Sequence, residues 1–225
     1  QTLRLANIGY TPREIAEQLK LPESLAGNFH LRGYYGTLSH NSKAVYQHYF
    51  GWYDANPASL NPLPPQQSAI RYVEFMGGAD AVLEKAAAYY HEGDYRWVAE
   101  VLNHLVFAEP DNQSARRLLA DTYRQLGYQA ESGPWRDIYL SGARELSGGD
   151  KISRYDAAQS KAFLQQVPIE QFMKALSVRL DADKAAGEQL SINVTFSQDE
   201  NFVLQVRNSV MHYRRAAVDP VADAT

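Results

Sequence analysis

The sequence predicts a mainly α chain with a small α+β part towards its C-terminal end. Three observations lead there. Residues 66–146 carry a helical pattern throughout, with an internal repeat of 34 residues. Beyond Leu190 the hydrophobic period changes to two, the period of a strand. Two turn-rich stretches, 54–65 and 147–150, set these regions apart from each other and from the first 58 residues.

Composition bounds the rest. A chain of 225 residues can hold one to three domains and a substantial core. Its 45% apolar and 21% charged content is that of an ordinary globular protein. The net charge of −4, without a basic cluster, argues against a nucleic-acid partner. No apolar run approaches the roughly 20 residues of a membrane span, and no signal peptide opens the sequence. Without cysteine there are no disulfides and no thiolate zinc sites.

Taken in order, Thr11-Pro12-Arg13-Glu14 is a helix start. Thr11 suits the N-cap, Pro12 the first helical position, and Glu14 the capping-box acid. The helix runs to Leu21 with Ile15, Leu19 and Leu21 as its apolar positions, and Pro22 opens a second short element containing Leu25. Asn28 to Asn41 is rich in glycine and aromatics and reads as strand or loop, with a helix from Lys43 to Tyr53 after it. The loop 54–65 holds Pro57, Pro62, Pro64 and Pro65.

Within 66–146, Ala81, Ala86, Tyr89 and Gly93 recur 34 residues later as Ala115, Ala120, Tyr123 and Gly127. Small alanines let helices approach, tyrosine fills the groove between them, and glycine permits a left-handed turn. Pro110 falls where the tetratricopeptide pattern has its closing proline, which makes the region TPR-like. Helices at 66–76 and 134–146 flank about one and a half repeats, fewer than a stable solenoid needs, so compact packing is favoured over peptide binding. After Ser147-Gly148-Gly149-Asp150, helices are expected at 156–166 and 168–184. Leu190, Ile192, Val194 and Phe196 then share one strand face. Gln198 to Asn201 is a turn, and Phe202, Leu204 and Val206 alternate on the next strand. Asn208-Ser209 turns into Val210 to Arg214, and 216–225 reads as a disordered tail.

Four blocks of this sequence resemble one family: Gly9 to Glu17; Arg32 to Asn41 with Tyr46 to Pro57; Tyr95 to Asn112; and Gln129 to Arg136. The family is the zinc-dependent alkyl sulfatases, active on dodecyl-type sulfate esters, within the metallo-β-lactamase superfamily. The resemblance implies that 1–58 is the C-terminal remnant of the catalytic domain and 66–146 an all-helical dimerisation domain. It implies that 151–215 is a partial domain like sterol carrier protein 2 (SCP2-like), two helices and an antiparallel meander, followed by the tail 216–225. The family's His-x-His-x-Asp-His motif is absent from these residues. The chain therefore reads as a fragment, inactive alone, whose partners are an upstream catalytic domain, a second copy bound through 66–146, and an alkyl sulfate substrate of the complete enzyme. The sequence sets no compartment: bacterial cytoplasm and periplasm both stay open, as no signal peptide opens the chain.

The resemblance places His40 at a late zinc-ligand position of the complete enzyme. No metal is expected for this chain alone, because zinc needs three or four protein ligands. Arg32, Tyr34 and Asn41 flank that position. A guanidinium and an amide suit sulfate oxygens. Equally, Arg32 can pair with a surface acid and Tyr34 can simply pack. His48, eight residues after His40, would lie about 12 Å away on a helix, too far to share an ion. Two other functions stay open: a separate TPR-like assembly module that is not an enzyme, and a lipid carrier built on the C-terminal part.

Overall fold

The structure is a computed structural model that describes residues 1–148, 165–197 and 200–224. These fall in two compact units, one ending at Ser153 and the other beginning at Arg154. The fold class is the predicted one: mainly α, with a small antiparallel sheet in the second unit.

The first unit opens with four helices: α1 (Thr2–Ala6), α2 (Pro12–Gln18), α3 (Glu23–Ala26) and α4 (Leu38–Phe50). Sequence reasoning passed over α1. The capping box of α2 forms as expected. Glu14 accepts from the Thr11 amide at 2.8 Å, and Thr11 Oγ1 accepts from the Glu14 amide at 3.4 Å. Ile15 is fully buried, and α2 packs on α4.

The segment 28–41 is no strand. A single 3-10 turn covers Phe29–Leu31, and α4 begins at Leu38, five residues before the expected Lys43. The cause is Thr37, an extended N-cap residue whose Oγ1 accepts from the His40 amide at 3.1 Å. The first turn, Leu-Ser-His-Asn, has no apolar periodicity, so the sequence concealed it. Gly51, at φ +80°, ends the helix before the expected Tyr53.

After the proline loop come α5 (Pro65–Phe75), α6 (Ala79–Glu92), α7 (Tyr95–Ala108), α8 (Gln113–Gln129) and α9 (Gly133–Leu146). The central helix is α7, which packs on α5, α6 and α8, while α9 packs on α8. Val98, Leu102 and Leu105 lie on one face of α7 and are completely buried, against Val82 and Ala86 of α6 and Leu119 of α8. Each such side chain contributes about 1.5–3 kcal/mol of hydrophobic stabilisation.

The repeated positions do not all do the same work. Ala86, Ala115 and Ala120 are buried close-approach sites, as read from the repeat. Gly93 is the left-handed C-cap of α6, at φ +86°. Gly127, its counterpart, lies inside α8. There a Cβ would stand 2.9 Å from Leu140 Cδ2 of α9. That glycine serves helix contact, not a turn. Tyr123 fills the groove over Gly142 of α9, whereas Tyr89 is exposed.

In the second unit α10 (Ile169–Ser177) ends well short of the expected residue 184. Asp181 instead caps a turn, accepting from the Lys184 amide at 3.2 Å. The expected helix 156–166 lies outside the described residues except for its last two, which are in a turn. Strands β1 (Leu190–Ser197), β2 (Glu200–Arg207) and β3 (Val210–Arg215) form a meander in sequence order. Ile192 faces Leu204, and Leu204 faces Tyr213. Met173 of α10, Phe202 and Leu204 make the small core, with Ile192 and Val194 against it.

The expectation of a disordered tail is corrected. Ala224 bridges Ile192 in parallel, and the Ala224 carbonyl accepts from the Asn193 amide at 2.8 Å. The buried Asn193 side chain also grips Asp219 from both sides. Its Nδ2 donates to the Asp219 carbonyl, and its Oδ1 accepts from the Asp219 amide, each at 2.8 Å. The tail thus covers the outer edge of β1, where unpaired backbone groups would otherwise invite another chain.

Candidate functional site

The site is built where the N-terminal helices meet α7, α8 and α9. Residues 32–36, a non-helical run of bends that its glycines and aromatics allow, cross the start of α9 as a strap. Two backbone carbonyls tie it down. Tyr34 accepts from the Gly133 amide at 2.8 Å, and Tyr35 accepts from Ser132 Oγ at 2.7 Å. Ser132 is buried and is also the N-cap of α9, accepting from the Trp135 amide at 3.4 Å. Arg32 forms an ion pair with Glu131.

This strap delivers the first turn of α4 to Trp135. The indole Nε1–H donates to His40 Nδ1 at 2.8 Å, and the two rings lie 4.5 Å apart, tilted by 47°. On the other side, Arg96 of α7 donates to Glu17 of α2 at 2.9 Å. Between them lies an open cleft of about 540 Å³, with Lys43 and Arg96 supplying positive charge and Leu126, Trp135, Ile138 and Tyr139 an apolar wall.

Its electrostatics follow from these contacts. Partial burial holds the His40 imidazole below its ordinary pKa, and the Lys43 ammonium adds to this. Glu17 is lowered, first by its hydrogen bond from Arg96 and then by that residue's charge. Arg96 is raised for the same reasons. Further along the groove, burial raises the Tyr123 hydroxyl, and Tyr139 contributes. A neutral imidazole and a lysine beside an apolar wall suit an anion joined to an apolar group. The arrangement lacks the paired carboxylates of an acid–base centre. Among the described residues no three His, Cys, Asp or Glu side chains converge to hold a metal ion. The described residues by themselves therefore do not compose a zinc centre.

The sequence-derived candidates fare differently. His40 lines the cleft. Arg32 is engaged by Glu131 and stands 5.4 Å over the Tyr34 ring, while Tyr34 packs on Phe29 at 5.1 Å. This is the alternative in which Arg32 pairs with an acid and Tyr34 packs. Asn41 folds over Gly36, where a Cβ would meet its Oδ1 at 3.3 Å. His48 lies in the last turn of α4, edge-on to Tyr49. Sequence reasoning missed Glu17, Lys43, Arg96, Ser132 and Trp135. Ser132 before Gly133-Pro134 is a helix-start signal that could have been found. Nothing local could have paired Trp135 with a histidine 95 positions away.

Comparison with known proteins places these features. A family model described as alkyl sulfatase dimerisation matches residues 11–149, and one described as alkyl sulfatase C-terminal matches 157–225. A linear primary-alkylsulfatase of Pseudomonas sp. is 49% identical over 226 residues, covering 100% of this chain and 34% of that protein. The alkyl/aryl-sulfatase BDS1 of Saccharomyces cerevisiae is 51% identical over 95% of this chain and 33% of its own length. The solved structure of the stereoselective inverting sec-alkylsulfatase Pisa1 from Pseudomonas sp. is 45% identical, with a TM-score of 0.92 over 99% of this chain and 35% of that one. The chain thus spans about a third of the length of the relatives it matches. Among the described residues, no helix is long and apolar enough to cross a membrane.

Proposed function

The chain belongs to the alkyl sulfatase family, and from that premise we propose that it is the C-terminal part of an enzyme hydrolysing alkyl sulfate esters to alcohol and sulfate. The observation that carries this is the order of the two family matches, 11–149 and 157–225, along one chain. In this reading residues 66–146 join two copies of the protein into a homodimer. A two-fold arrangement is the one such an interface favours. The TPR-like repeat is a packing device for that helical body. The SCP2-like unit, a helix on a three-stranded meander, helps shelter the alkyl chain. An upstream catalytic domain, which the relatives' greater length supports, carries the metal motif. Zinc belongs to that domain in this reading, since the described residues by themselves do not compose its centre. The strap and α4 carry residues from the catalytic side onto the helical body, so that His40 is held by Trp135 of α9.

The test is a reconstitution. The 225-residue chain, with zinc added, should leave dodecyl sulfate intact, and the same chain preceded by the upstream domain should hydrolyse it. Turnover by the isolated chain that survives repurification would refute the division of labour. In sedimentation the chain should form dimers at micromolar concentration. A strict monomer well above that would refute the role given to 66–146.

A further inference from the structure

We infer that Trp135 is a positioning residue that holds His40 as its neutral Nε2–H tautomer, so that His40 serves the cleft as a hydrogen-bond donor and not as a metal ligand. An indole N–H can only donate. At 2.8 Å from Trp135 Nε1, His40 Nδ1 must accept. A neutral imidazole has one donor and one acceptor nitrogen, and the partner of one decides the state of the other. The proton therefore sits on Nε2.

That state is the reverse of what a metal requires. A metal-bound histidine gives one lone pair to the ion and donates its other ring N–H to a carboxylate, a carbonyl or water. Here the outer nitrogen faces a donor. A metal at Nε2 would drive the proton to Nδ1, directly against the Trp135 N–H. A metal at Nδ1 would have to displace the indole. Double protonation meets the same conflict, since it too would set an Nδ1–H against the Trp135 N–H.

The pair is held on both sides. Thr37 Oγ1 accepts from the backbone amide of His40 at 3.1 Å, and Ser132 Oγ accepts from that of Trp135 at 3.4 Å. The ring centroids lie 4.5 Å apart, the planes tilted by 47°. Two N-caps on two helices thus fix the donor and acceptor that set the tautomer. The resemblance implies a zinc-ligand role for His40, and the geometry of this chain opposes it.

The experiment reads nitrogen atoms and not turnover, so its failure is distinct from failure of the sulfatase reading. The full 225-residue chain is labelled with 15N-histidine and studied by long-range 1H–15N correlation at neutral pH. His40 is identified by the signals lost in His40→Gln. The expected result is a proton on Nε2, with no change in the His40 pattern on adding equimolar zinc chloride. Trp135→Phe keeps an aromatic ring and removes the N–H, and a second His40 tautomer should then appear. An Nδ1–H tautomer or a zinc-shifted His40 in the parent chain overturns the inference. So does an unchanged tautomer in a folded Trp135→Phe variant. Should that variant fail to fold, the parent measurements decide alone.

Discussion

Replacing Ser132 by alanine tests the joint that creates the cleft. Ser132 is 2% exposed, and its one hydroxyl makes two bonds: to the Tyr35 carbonyl at 2.7 Å and from the Trp135 amide at 3.4 Å. Loss of an N-cap costs about 0.5–2 kcal/mol, and loss of the strap hydrogen bond a further 0.5–1.5 kcal/mol or so. Together these predict a destabilisation of about 1–3 kcal/mol. In a unit of this size each kcal/mol moves Tm by roughly 2–4 °C, so a mid-range loss lowers it by about 4–8 °C. Asn112→Ala is the control. Asn112 caps α8, accepting from the Ala115 amide at 3.0 Å, and touches no strap residue. Its loss should cost about 1 kcal/mol. Thermal melting followed by circular dichroism gives both values. Hydrogen exchange separates them further: the Gly133 amide, bonded to the Tyr34 carbonyl at 2.8 Å, should exchange faster in Ser132→Ala only. If Ser132→Ala is no worse than the control and Gly133 stays protected, the strap does not hold α4 against α9.

Three further predictions follow from single contacts. Gly127→Ala gains about 1 kcal/mol of helix propensity but overpacks against Leu140 at a cost of about 1–3 kcal/mol. Urea titration should show a net loss, and a gain equal to the full propensity would disprove the close α8–α9 approach. Asn193→Ala removes both bonds to Asp219, so the tail should leave β1. Faster exchange of the Asn193 and Asp223 amides, with α7 unaffected, is the expected signature, and unchanged protection would count against the clasp. Glu17 carries a lowered pKa, chiefly from its Arg96 hydrogen bond, so its contribution is present above the ordinary carboxylate range and lost as the pH falls through the lowered value. The melting difference between parent and Glu17→Gln should therefore be small, as for an exposed pair, and should vanish on acidification. A pH-independent difference would refute this account.

The sequence by itself determined the helical class, the period-two strands and the family, because each is written in short-range order. A capping box such as Thr11-Pro12-Arg13-Glu14 needs only its own four residues, and an alternation such as Leu190 to Phe196 only its own strand. It misjudged features in which the deciding partner lies far along the chain. Gly93 and Gly127 look equivalent in a 34-residue repeat, yet one ends a helix and the other admits Leu140. The tail has no strand pattern of its own and is ordered by Asn193, 26 residues before Asp219. The family resemblance, not its neighbours, gives His40 a metal-ligand reading. Tertiary structure alone brings an indole donor to its Nδ1. A side chain's type and cap are local properties, but which nitrogen holds a proton depends on what the fold sets opposite it.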